Sequence, residues 1–99
     1  MNKYKIRLTE KAEKEYIKAF LYYEGKQQGL GIRFEKELEQ LLAIIEKTPL
    51  LFAHKYKHFY EPMLKHFPFL VVFEIIDTDI IIQSIYHTKQ SPKKKYNKK

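Results

Sequence analysis

Two apolar runs, Phe67–Ile76 and Ile80–His87, separated only by Asp77-Thr78-Asp79, leave this chain few ways to fold. Both are rich in β-branched and aromatic residues, which predicts an antiparallel hairpin. Each run is apolar on both faces, so each is expected to be a central strand covered on both sides. The second run ends in His87, and the remainder, opening Thr88-Lys89-Gln90-Ser91-Pro92, holds no acidic residue. A hairpin that carries a histidine and a set of lysines to one edge is where function is expected.

The rest of the composition narrows the class. Ninety-nine residues suffice for a single modest core, so residues 1–90 are read as one domain and 91–99 as a basic tail. A 15% aromatic content argues against disorder, and without tryptophan the eight Tyr and seven Phe must supply much of the core volume. Cysteine is absent, which rules out disulfides and thiolate metal sites and is compatible with a reducing compartment. The basic N-terminus has no apolar run behind it, unlike a signal peptide. The longest uncharged apolar run, Phe67–Phe73, is too short to span a bilayer. A soluble protein with no membrane partner is expected.

Charge is uneven. Residues 1–50 carry ten Lys/Arg against eight Asp/Glu, whereas residues 51–99 carry nine against four. From Thr88 onward, Lys89, Lys93, Lys94, Lys95, Lys98 and Lys99 are unbalanced. That asymmetry points to an anionic partner, nucleic acid or an acidic protein segment; the alternative is a tail that only solvates the terminus.

Upstream, Lys3–Leu8 alternates strictly, with Tyr4, Ile6 and Leu8 on one face, as in a half-buried strand. Thr9 is the expected N-cap of a helix whose Ala12, Tyr16, Ala19, Phe20 and Tyr23 recur at helical spacing, with Glu10 and Lys14 paired on the wet side. Tyr16, Tyr22 and Tyr23 read as packing residues. Gly25 is expected to end this helix, and Gly29 and Gly31 to bracket the start of the next. Leu30, Phe34, Leu38, Leu41, Leu42 and Ile45 mark that helix's buried stripe, and Thr48-Pro49 stops it. One more strand is expected within Tyr56–Lys65, entering the hairpin through the Phe67-Pro68 bend. The order is β-α-α-β-β-β: an α+β fold with an antiparallel helical hairpin on a mostly antiparallel four-stranded sheet, followed by a basic tail.

That order, with these residues, resembles the RelE/ParE superfamily of toxins from bacterial type II toxin–antitoxin systems. The likeness rests on the N-terminal strand running into Thr9-Glu10-Lys11-Ala12 and on the Phe34–Ile45 helix ended by Thr48-Pro49. It rests further on the Phe67-Pro68-Phe69 entry to Leu70-Val71-Val72-Phe73-Glu74-Ile75, and on His87 followed by Lys89 and Pro92. It covers nearly the whole chain and is closer to the ParE-like branch. The resemblance implies a cytoplasmic growth inhibitor, associated with plasmid stabilisation, neutralised by a cognate antitoxin. Its target would be DNA gyrase, bound without catalysis, or messenger RNA cleaved on the ribosome without metal.

Metal-free RNA cleavage needs a base, an acid and fixed positive charge for the phosphate. The chain has two arginines, Arg7 and Arg33, neither on the C-terminal hairpin; the resemblance puts Leu70 where the ribonuclease branch carries one. His87, Lys89 and Tyr96 are the candidates for base, charge and acid should the protein be a ribonuclease. His87, Lys89, Lys93, Lys94 and Lys95 are the candidates for contact with a target or nucleic acid. His87 also has a plain reading as a hydrogen-bonder at a strand end. His66 is read as shaping the strand entry. His54 and His58, at i,i+4, would need a helix to share a metal with His66, which Pro49 and the aromatic alternation around Tyr56 disfavour, and no carboxylate completes a set, so no metal or cofactor is expected. Three readings stay open: a gyrase-binding inhibitor, a ribosome-dependent endoribonuclease and a generic basic nucleic-acid-binding module.

Overall fold

The structure is a computed structural model and describes residues 3–52 and 54–89. Its elements run β1 (Lys5–Leu8), α1 (Glu10–Lys26), α2 (Leu30–Lys47), a 3₁₀ turn (Pro49–Leu51), β2 (His54–Tyr56), β3 (Phe59–Tyr60), β4 (Phe69–Ile76) and β5 (Asp79–His87). The strands lie in one sheet in the order β1-β5-β4-β3-β2. β1 is parallel to β5 and the other neighbours are antiparallel. The α+β architecture is as the sequence predicts, with one refinement. The strand expected within 56–65 is β3, and a further short strand that the sequence did not signal, β2, pairs with it and brings the strands to five. Among the described residues no helix is long and apolar enough to cross a membrane.

The chain turns from β1 into α1 at Thr9. Its extended backbone lets the side-chain oxygen accept from the Ala12 N–H at 3.1 Å, the expected N-cap. The same residue stitches the turn to the sheet: its N–H donates to Ile82 O (3.0 Å) and its hydroxyl to Gln83 O (3.2 Å). Glu10 and Lys14 pair as expected at 3.3 Å.

Gly25 does not end α1, which runs on to Lys26. A glycine inside a helix costs only about 1 kcal/mol, too little to break one whose last turn is held by tertiary contacts. Tyr23 packs against Phe34, Phe67 and Phe69, and the Glu24 carboxylate accepts the N–H groups of Gly29 and Gly31, each at 2.8 Å. Glu24 thereby caps α2 from the neighbouring helix. The cap residue of α2, Gly29 at φ +88°, has no side chain to do so, and an anion suits a helix N-terminus. Gly31 lets α2 lie close against α1, since a Cβ there would lie 2.7 Å from Phe20 O.

The helical hairpin covers one face of the sheet. Phe69, Val71 and Phe73 of β4 and Ile80, Ile82 and Ile85 of β5 join Ala12, Ala19, Phe34, Leu38 and Ile45 in the core. Three residues cannot keep one face at positions 80, 82 and 85 without a break in the pleat. The break is a bulge at Gln83, where Val72 pairs with Ser84 but Phe73 with Ile82. The aromatic residues fill the core as their number required: Phe34, Phe67 and Phe69 meet Tyr23 with centroids 4.9–6.2 Å away. Tyr60 stacks on Phe73 at 4.7 Å.

Coverage of both strands on both faces is only partly met. Val72 and Tyr86 are buried on the face away from the helices, but the same face opens at Glu74 and at Ile76, which is exposed. There Glu74 holds His58 at 2.7 Å and accepts from the Gln83 amide, so a polar trio closes that end of the sheet.

The two glycines should respond oppositely to alanine. Gly25 has open space around its Cβ position, so Gly25→Ala is expected to raise stability by up to about 1 kcal/mol. Gly31→Ala drives a methyl into backbone and is expected to cost about 1–3 kcal/mol. Urea unfolding followed by circular dichroism distinguishes the two.

Tyr16 supplies a pH test. Burial, then the hydrogen bond it donates to Glu35 (2.6 Å) and the charges of Glu35 and Glu39, push its hydroxyl from 10.0 up to about 12. The folded state therefore favours the protonated phenol. Its contribution is whole below pH 10 and is lost as pH rises from 10 through 12. Tyr16→Phe should flatten much of the alkaline decline in the urea midpoint, with Tyr23, raised by its own burial, leaving the remainder.

Candidate functional site

β1 accompanies β5 only from Asp79 to Ile82, so among the described residues the outer edge of β5 from Gln83 onward has no strand beside it. An open edge inside a core leaves backbone donors to be satisfied by other means. Helix α1 supplies an acceptor for the Ile85 amide. The Glu15 carboxylate accepts the Ile85 N–H and the Ser84 hydroxyl, both at 2.9 Å. Lys11 then bridges the pair, 3.1 Å from Glu15 and 3.0 Å from the Ser84 oxygen. Ser84 is wholly buried, and its hydroxyl both donates and accepts.

This lacing fixes the space above it. Glu15, Lys18, Ala19 and Tyr22 recur along one side of α1, and with Phe69, Ile85 and His87 they enclose a cleft of about 240 Å³. His87, at the end of β5, stands edge-on to Phe69 with centroids 5.0 Å apart. The two strand ends are tied together where Thr88 N donates to Pro68 O at 2.9 Å. The Lys89 N–H donates to His87 Nδ1 at 3.1 Å. In the neutral ring this fixes the proton on Nε2, which makes that nitrogen a donor toward a partner.

His87 and Lys89 are thus brought together at the hairpin's open end, beside an apolar cleft. Lys93, Lys94, Lys95 and Tyr96 lie outside the described residues. Arg7 stands on β1, 3.8 Å from Asp79, and Arg33 on α2; neither lines the cleft. Leu70 is half-buried on β4 opposite Tyr86. The carboxylate in the cleft, Glu15, already serves three donors.

Glu15, Lys18, Tyr22 and Ser84 escaped the sequence reading. The lysine and glutamate look like the wet side of an amphipathic helix, and the serine like an interruption in an apolar strand. Tyr22 was grouped with Tyr16 and Tyr23 as packing. All three do pack, Tyr22 edge-on to Tyr23 with centroids 5.2 Å apart, but Tyr22 is also 58% exposed at the cleft rim, with the Lys26 ammonium 5.3 Å from its ring centroid. Its place at i+7 from Glu15 was the only available signal.

A second cleft of about 300 Å³ lies on the α2 flank, lined by Ile44, Met63 and the Glu37–His66 pair among others. Burial works against the Glu37 charge, but the His66 N–H and ring, together with the Lys65 N–H, hold its carboxyl below the ordinary range. His66 therefore ties the Phe67 approach to α2, as the sequence reading expected of it. His58 is paired with Glu74, and the described residues gather no group of three or more His, Cys, Asp or Glu suited to a metal.

Comparison with known proteins follows the same lines. Residues 6–92 match the family of the ParE toxin of type II toxin–antitoxin systems, parDE. The chain belongs to the ParE toxin family. It superposes on a chain of the chromosomal ParDE toxin–antitoxin system from P. aeruginosa with a TM-score of 0.77 at 13% identity, covering 87% of this chain and 97% of that one. At that identity the likeness is one of fold. No curated protein sequence matches. In this ParE family member the cleft lies at the end of the fold where His87 and Lys89 emerge.

The Glu15 lacing can be measured directly. Glu15→Ala leaves the Ile85 amide and the Ser84 hydroxyl without their acceptor and should cost about 2–3 kcal/mol. Glu15→Gln, which keeps one carbonyl acceptor, should cost less. Amide exchange at Ile85 should quicken more in the alanine variant.

Proposed function

We propose that this toxin arrests growth by binding DNA gyrase without catalysing a reaction, and that a cognate antitoxin neutralises it. The observation that carries the reading is the placement of the arginines. Neither Arg7 nor Arg33 stands on β4 or β5, the strands that end at His87 and Lys89. Metal-free cleavage of RNA depends on fixed donors for the phosphate in flight, and losing one donor of this kind costs about 10²–10³ in rate. Lys89 supplies a point charge but not a bidentate fork. A binding surface needs neither proton transfer nor that fork. In this reading His87, Lys89 and the tail lysines Lys93, Lys94 and Lys95 contact the target, and both candidate targets place the toxin in the cytoplasm.

The adjacency of His87 and Lys89 favours a second reading, a ribosome-dependent endoribonuclease with His87, Lys89 and Tyr96 as base, charge and acid. The two are separated by His87→Gln, which keeps a planar polar side chain that does not titrate. Purified wild type and variant are assayed for gyrase-dependent DNA breakage and for cleavage of messages in a translating extract. Under the gyrase reading wild type breaks DNA, leaves messages intact, and His87→Gln keeps most of the activity. A chain ended at Gln90 stays folded and loses potency. Site-specific message cleavage that falls by orders of magnitude in His87→Gln overturns the reading in favour of the enzyme.

A further inference from the structure

We propose that the end of the hairpin where His87 and Lys89 emerge, continued by the tail lysines, is a contact surface for the phosphate backbone of duplex DNA. The inference rests on the gyrase reading above. It names the DNA that gyrase holds, rather than the enzyme, as what this surface touches.

Charge carries the argument. From Lys89 to Lys99 the sequence holds six lysines in eleven residues and no acidic residue. The same end adds Lys18 at the cleft. Lys18 and Lys89 are exposed and form no ion pair among the described residues. The neutral His87 ring contributes Nε2–H, because its Nδ1 already accepts from the Lys89 N–H. The carboxylate in the cleft lining, Glu15, is paired with Lys11 and bonded to Ser84 and Ile85 N, so it opposes this charge little. The base is fixed, since Thr88 N is tied to Pro68 O just before the tail begins.

Chemistry selects the partner. Lysine ammonium groups are point charges without the planar fork that reads a base edge, so they grip a backbone and carry no sequence preference. Single strands are held by aromatic rings on which successive bases stack. Among the described residues this end offers one exposed ring, Tyr22, with the Lys26 ammonium already beside it. Duplex DNA needs no stacking platform and presents one phosphate charge per about 1.7 Å of axis.

The toxin alone, without gyrase, is titrated against a short fluorescent duplex from about 50 to about 200 mM KCl. Log affinity should fall against log salt with a slope of about −5, the value for about six neutralised phosphates. Replacing Lys93, Lys94 and Lys95 together by Gln should make the slope shallower by about 3, and Lys18→Gln by about 1. Replacing Lys5, Lys36 and Lys47 by Gln, an equal change at exposed lysines elsewhere, should leave it. No measurable binding, a slope untouched by the tail triple, or one flattened as much by the control triple overturns the surface. A single strand of the same length bound as tightly as the duplex overturns the duplex as partner. Displacement of the duplex by polyglutamate at equal charge overturns the phosphate assignment in favour of an acidic protein.

Gyrase-dependent DNA breakage connects the surface to toxicity. The tail triple should need about tenfold more toxin or more for the same breakage, and the control triple no more than wild type. Equal potency of the tail triple overturns the role of the surface at the target. Wild type that binds the duplex with the expected slope but causes no breakage overturns the gyrase reading and leaves the surface standing. Breakage without duplex binding does the reverse.

Discussion

The fold depends on how the outer edge of β5 is satisfied. A central strand must give every buried amide an acceptor, yet β1 is only four residues long and stops at the level of Ile82. Beyond that point helix side chains take over from a strand. Thr9 bonds to Ile82 and Gln83, and Glu15 to Ser84 and Ile85, so the first two turns of α1 act as a polar seam along the sheet. The seam fixes where α1 lies. The position of α1 then sets the place of α2, which takes its N-terminal cap from Glu24.

The bulge at Gln83 is part of the same arrangement. By shifting the pleat one residue it keeps Ile85 in the core while Ser84 reaches Lys11 and Glu15 at the edge. A regular strand would have put the serine on the core face of the sheet and the isoleucine on the opposite face. The bulge thus lets one strand serve both the apolar core and the polar seam, and it lies four residues before His87. Bulges often re-aim side chains in this way near functional positions.

At the far end of the hairpin the demands of packing and recognition divide. Phe69 belongs to the aromatic cluster around Tyr23 and Phe34, yet it is also the ring against which His87 stands. The histidine is oriented by core packing on one side and by the Lys89 amide on the other, while the lysine charges remain at the rim. Membership of the ParE toxin family gives this surface its context, and a chain with net charge +7 meets acidic partners favourably.

The sequence alone determined most of the elements. Alternation in Lys3–Leu8, the Thr9 cap, the Phe34–Ile45 stripe, the Thr48-Pro49 stop and the two apolar runs are local signals, each readable from neighbours within a few residues. Gly25 misled because a glycine's intrinsic cost is small beside the contacts of Tyr23 and Glu24, which come from elsewhere in the chain. The weak pattern after Pro49 concealed two strands of three and two residues, too short for any period to emerge. His87 and Lys89 were legible as candidates because they end an apolar run. Glu15, Lys18, Tyr22 and Ser84 were not, since residues about 70 positions apart meet only when α1 is laid along β5. Periodicity reports which face of an element is apolar; which edge that element must seal is settled by the pairing of strands, and that is decided only in three dimensions.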